Sequence, residues 1–284
     1  MWCIDVIATN PDPNRRLWYV PTRINAAFFL TTGIGVPMAI FSKSGLEGGF
    51  LIAHVVVAIM WMGLLWFFNF VQTPAYAEMD GAARNNAFDK LTWRALWWFR
   101  WAAAATVAFG LLVIAVGGSD SFNGDFWKST PGVTLLIGIL FGITMLYNVW
   151  MVIWPNQQIV IANARNVQNG GEADPNAPAA ARAGAMASRQ NTIFSLPLLV
   201  FMVGASHFYN LGHFSPAPGG AKWFVYFLFG VAVLVLLEAN ALGKISGRGN
   251  TGLNMIYESH KNAMYAGFAL IAAFYILAEI LLRY

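Results

Sequence analysis

The lysines and arginines of this chain fall almost entirely into alternate gaps between long apolar runs, and that pattern constrains the fold more than any other feature. The runs lie at roughly 24–41, 49–72, 98–117, 133–154, 193–210, 222–242 and 263–282. Each is close to the roughly 20 residues a helix needs to cross ~30 Å of hydrocarbon at 1.5 Å per residue. Arg15, Arg16 and Arg23 precede the first run. Arg84, Lys90, Arg94 and Arg100 lie around the second gap, Arg165, Arg182 and Arg189 in the fourth, and Lys244, Arg248 and Lys261 in the sixth. The other gaps and the C-terminal end hold only Lys43, Lys128, Lys222 and Arg283. Membrane proteins keep Lys and Arg on the cytoplasmic side. The expectation is therefore an all-α, polytopic transmembrane bundle of seven spans, with the N-terminus cytoplasmic and the C-terminus outside.

A chain that is 58% hydrophobic and 11% charged, with mean hydropathy +0.55, does not make a soluble globule. In lipid every backbone group must bond inside its own segment or a closed barrel, and nothing here alternates like barrel strands. The pI near 9.3 is no argument for nucleic acid, because topology and lipid headgroups account for the basic loops. The one cysteine, Cys3, allows neither an intrachain disulfide nor a Cys-x-x-Cys-His haem attachment. The N-terminus lacks the pattern of a cleavable signal, so the first run is expected to direct insertion. Residues 1–23 read as a polar cytoplasmic arm and 24–284 as one membrane domain. Within that domain 77–97 and 155–191 read as cytoplasmic segments with amphipathic helices, and Trp154-Pro155 as the end of a span.

Polar side chains inside spans are costly and mark function or interhelical clamps. His54 lies about 8 Å below the outer edge of its run, and His207 about 21 Å from the inner edge of its own, at 1.5 Å per residue. The two share a depth in the outer half, where paired imidazoles can hold a haem iron or copper. The alternative is two histidines each bonded to a backbone carbonyl. His213 reads as an outer-loop residue, and Glu279 as a group at the histidines' depth that either orients an imidazole or reaches the interface. At the inner ends of the runs a second polar layer collects Asn69, Gln72, Trp154, Asn156, Gln157, Arg189, Asn191, Glu238, Asn240 and His260. Its two readings are an interhelical clamp and a pocket for a quinone headgroup or polar substrate. Glu238, a carboxylate well inside an apolar run, needs a partner or a proton. The Trp154–Gln157 segment, the Arg189–Asn191 segment and His260 are its expected partners.

Three segments carry a family resemblance. They are His54-x6-Trp61-x-Gly63 with Phe68-Asn-Phe-Val-Gln72, Asn148-Val-Trp-Met-Val-Ile-Trp-Pro-Asn-Gln157, and Ala187-Ser-Arg-Gln-Asn-Thr-Ile-Phe-Ser-Leu-Pro through Ser206-His207. Together they resemble the membrane domain of PuuD-type bacterial membrane-bound urate hydroxylases. The first element also resembles HemJ-type and CopD-type membrane proteins, which are associated with haem or copper. The resemblance implies urate oxidation at the membrane, with electrons leaving through a cytochrome c domain after the last helix. The leading expectation is a redox protein of the bacterial cytoplasmic membrane in which His54 and His207 ligate b-type haem and the inner polar layer binds the reductant. These residues hold no Cys-x-x-Cys-His, so the expected acceptor is a separate cytochrome c, a quinone or another subunit of a membrane complex. A non-catalytic accessory subunit is the competing expectation.

Overall fold

A computed structural model describes residues 41–121, 124–209, 214–215, 218–219 and 221–283. The N-terminal arm, the first apolar run and His213 lie outside the described residues. Those described belong to one helical unit, Ala39–Tyr284. Its long helices are α1 (Lys43–Glu78), α2 (Gly81–Gly117), α3 (Thr130–Gln168), α4 (Ala177–His207), α5 (Lys222–Ala241) and α6 (His260–Leu281). Among the described residues β structure is limited to one bridge, Phe214 with Arg283. Helices α1, α2, α3, α5 and α6 are long and apolar enough to cross a membrane.

Contacts between named residues fix the helix directions. His54 and Phe50 meet Thr106 and Phe109 while Phe68 meets Phe99, so α1 and α2 are antiparallel. Asn148 meets Asn191, and Gly138 meets Phe201, so α3 and α4 are antiparallel as well. Gly267 lies against Ile193 and Phe274 against Phe201, so α4 and α6 run together. The odd helices point one way and the even helices the other, which gathers the arginine-rich connections at one end of the bundle.

Helix starts follow from sequence. Ser42, Asp80, Ser129 and Ser259 each accept the N–H three residues on, which satisfies a donor that the first turn leaves bare. Two helices end in a left-handed glycine. Gly170 (φ 82°) closes α3 and Gly243 (φ 78°) closes α5, each with the paired 6→1 and 5→2 backbone bonds of a Schellman cap.

Segment 77–97 is not a separate surface helix and Pro155 does not end its span, whereas the Ala-rich stretch from about 178 runs on into the next span as Ala177–His207. Segment 77–97 breaks only at Met79–Asp80 and then continues into α2, and α3 runs through Pro155 to Gln168. The cause is a widening of the helix. A π turn, Phe67–Gln72, precedes Pro74, and another, Asn148–Ile153, precedes Pro155. Each proline lacks an N–H and crowds the carbonyl four residues back. The wider turn absorbs both defects, and nearby side chains satisfy displaced carbonyls: Asn69 donates to Leu65 O, Thr73 to Phe68 O and Asn156 to Val152 O. A third π turn, Phe88–Thr92, has no proline, and nothing in the structure explains it.

Helix α4 is the centre of the bundle. Gln190, Asn191, Thr192 and Ser195 are fully buried on it, facing protein rather than lipid. Its Pro197 leaves the carbonyl of Ile193 without a partner within the helix, and α6 covers that oxygen at Gly267, where a Cβ would lie 3.1 Å from it. By contrast, the buried residues of α1 all lie from Trp61 onward. Its first half presents Leu51, Ile52, Val55, Val56 and Ile59 outward, as a lipid-facing surface does.

Candidate functional site

A cavity of about 230 Å³ opens at the arginine-rich end, between α1, α2, α3 and α4. All three described π turns contribute to its wall: Phe68, Asn69 and Gln72 from Phe67–Gln72, Phe88 and Thr92 from Phe88–Thr92, and Ile153 from Asn148–Ile153. Gln157 follows on α3, and α4 supplies Ser188 and Arg189. The lining therefore combines aromatic faces (Phe68, Phe88, Phe99, Tyr76) with amide, hydroxyl and guanidinium edges. Several edges are positioned by bonds to the protein. Asn69 Nδ2 donates to Ser188 Oγ at 2.8 Å, and Tyr76 and Thr92 hydroxyls bond at 2.8 Å. Arg189 donates to the Tyr257 carbonyl, holding its guanidinium beside the cavity. Gln72 Oε1 is buried without a protein partner.

Of the inner-layer residues expected from sequence, Asn69, Gln72, Gln157 and Arg189 are brought together here. Asn191 and Glu238 form a separate cluster. Asn148 Nδ2 donates at 2.9 Å to both Asn191 Oδ1 and Glu238 Oε2, and Asn191 Nδ2 donates to Met145 O at 3.0 Å. The partner of Glu238 is thus Asn148, one turn before the Trp154–Gln157 segment, and none of the three partners expected. The π turn that starts at Asn148 carries this residue into the core. Asn240 belongs to a third group, donating to Asn254 Oδ1 at 3.0 Å. Trp154 is stacked under the Arg100 guanidinium, 3.4 Å from its ring centroid, Asn156 bonds its own helix, and His260 lies against Phe70 with ring centroids 6.1 Å apart.

Asn148 and Ser188 stand in the family-like segments but not among the expected site residues, and Tyr257 and Asn254 in neither. Asn148 was visible as an amide inside an apolar run. Tyr257 sits in the short 3-10 turn Gly252–Tyr257, donates to Gln190 Oε1 at 2.6 Å and is fully buried. Burial pushes its phenol well above its ordinary range, so it remains a donor. Nothing in its local sequence marks that role.

The two histidines are bonded to different helices. His54 Nδ1 lies 2.8 Å from Thr106 O on α2, and its ring fits against Gly110, where a Cβ would come within 3.0 Å of it. His207 is exposed near the end of α4, with Nδ1 3.3 Å from Val203 O. A carbonyl only accepts, so Nδ1 carries the hydrogen in both rings and Nε2 is the basic nitrogen. Glu279 bonds Tyr275 at 2.8 Å and Arg283 at 3.1 Å rather than an imidazole. Among the described residues no group of three or more His, Cys, Asp or Glu converges as a metal site.

No curated protein and no solved structure matches the chain. A family model does: residues 102–235, from the middle of α2 through most of α5, match the family described as urate oxidase N-terminal. The matched stretch contains Asn148, Gln157, Arg189 and His207. Over that stretch this multi-pass helical membrane protein is similar to the urate oxidase N-terminal family.

Proposed function

We propose that the chain is a bacterial inner-membrane oxidoreductase that binds a urate-like purine in the cavity at its arginine-rich end. The carrying observation is the cavity itself, walled by three π turns in a chain similar to the urate oxidase N-terminal family. π turns recur at functional sites because they aim side chains that a regular helix would turn away. A purine is flat, with apolar faces and a rim of donors and acceptors. Phe68, Phe88 and Phe99 suit the faces, while Asn69, Gln72, Gln157 and Arg189 suit the rim. Under the charge asymmetry, this end faces the cytoplasm.

Electron removal needs a redox group, and haem b bound by His54 and His207 is the group proposed. Both rings set Nδ1 against a backbone carbonyl, the bond that fixes the tautomer of a ligating histidine. The register supports the pairing. Trp66 Nε1 donates to Ser195 Oγ between antiparallel α1 and α4. Twelve residues from that contact, about 18 Å along each axis, lie His54 on one helix and His207 on the other. His54 and His207 would hold the haem, which would supply one-electron redox chemistry, and the acceptor proposed is a cytochrome c, a quinone or another subunit of a membrane complex. The same carbonyl bonds are also what purely structural histidines make, and on that reading the chain is a non-catalytic subunit.

The reduced-minus-oxidised absorption spectrum of the purified protein separates the readings. The redox reading expects b-type haem bands that His54→Ala abolishes while helical circular dichroism is retained, together with saturable urate binding that Gln72→Leu weakens. A cofactor-free spectrum from protein purified with haem supplied overturns it.

A further inference from the structure

We infer that Glu238 is a proton-binding site, protonated at rest and in exchange with the aqueous phase at the arginine-rich end. The inference begins with an imbalance in hydrogen atoms. Glu238 Oε2 accepts from Asn148 Nδ2, but Glu238 Oε1 and Asn148 Oδ1 are both buried with no donor. An ionised carboxylate accepts only, so it adds nothing to Asn148 Oδ1 and leaves its own second oxygen bare in a low-dielectric bundle. A proton on Oε1 turns that oxygen into a donor and neutralises the group at once.

The surroundings offer no counter-charge instead. From α3 the facing group is Asn148, and from α4 it is Asn191. Arg189, next on α4, donates to the Tyr257 carbonyl. The 3-10 turn brings the Tyr257 hydroxyl, bonded to Leu237 O and Gln190 Oε1, and α6 begins with His260, which lies against Phe70. Among the described residues no cation bonds Glu238.

Polar side chains also continue from this neighbourhood toward the surface. The Tyr257 hydroxyl bonds Leu237 O, the carbonyl just before Glu238, and two residues on Asn240 bonds Asn254, which donates to Gly247 O and Gly249 O. Arg182 binds Gly249 O and Glu258 at the surface. Gln190 Nε2 and Asn240 Oδ1, buried along this line, retain hydrogen-bonding capacity.

The step is Glu–COO⁻ + H⁺ ⇌ Glu–COOH, with no electron transferred, and it stands whether or not the cavity holds a purine. Infrared spectra of the full-length protein in lipid nanodiscs test it without substrate or haem. At neutral pH the protonated carboxylic acid stretch should be present, shift in D2O and vanish in Glu238→Gln. In Asn148→Ala the band should persist but move, because Oε2 has lost its donor. A wild-type spectrum without the band, one that Glu238→Gln leaves unchanged, one that D2O leaves unmoved, or an Asn148→Ala band at the wild-type position overturns the inference.

Discussion

Gln72 and Asn254 are both buried amides, and their opposite states of satisfaction predict opposite responses to mutation. Asn254 accepts from Asn240 and donates to the carbonyls of Ser246, Gly247 and Gly249, so one side chain ties the 243–252 connection to α5. Leaving those buried groups unmatched costs about 1–3 kcal/mol. Asn254→Ala should therefore raise proteolysis of the 243–252 connection by roughly tenfold or more, read as a cleavage rate under native conditions. Gln72 carries an oxygen that bonds nothing in the protein. Gln72→Leu should leave the thermal midpoint unchanged or raise it, while urate affinity falls roughly tenfold, the equivalent of one ~1.4 kcal/mol bond. Calorimetry and a binding titration on the same preparation check both halves. A drop in stability with unchanged affinity would make Gln72 a structural residue.

At the level of helices, prolines and glycines decide how elements meet. Pro155 reads in sequence as the end of a span, because proline breaks helices in general. Here the helix widens and continues, and that choice depends on Asn148 and Asn156 finding partners that lie far away in the chain or one turn back. Local sequence does not contain that information, which is why the cavity's three-sided π wall was not legible while its amides were. Pro155→Ala removes the cause of the wide turn. The helix should regularise, rotate Gln157 by about 100° away from the cavity, and weaken ligand binding without loss of helicity. Gly267 makes the reverse point: a Cβ there would lie 2.7 Å from Leu196 Cδ1 and 3.1 Å from Ile193 O. Gly267→Ala should part α4 from α6 and cost about 1–3 kcal/mol, seen as a lower thermal midpoint in detergent.

For the whole molecule, the alternation of charge and the apolar runs made the all-helical membrane class readable. They also predict that a reporter fused after Tyr284 is active only outside the cytoplasm. What they hid is that the helices are not equivalent. Among the described helices five pass as spans on apolarity alone, whereas α4 buries Gln190, Asn191, Thr192 and Ser195 against its neighbours. Such a segment gains little from partitioning into lipid by itself, since each polar side chain opposes entry until another helix meets it. An order of assembly follows: α4 meets α3, already in place with Asn148, and is secured only when α6 arrives behind it. In nascent chains truncated between α4 and α5, α4 should still crosslink to the insertion machinery, and in those that include α6 it should not.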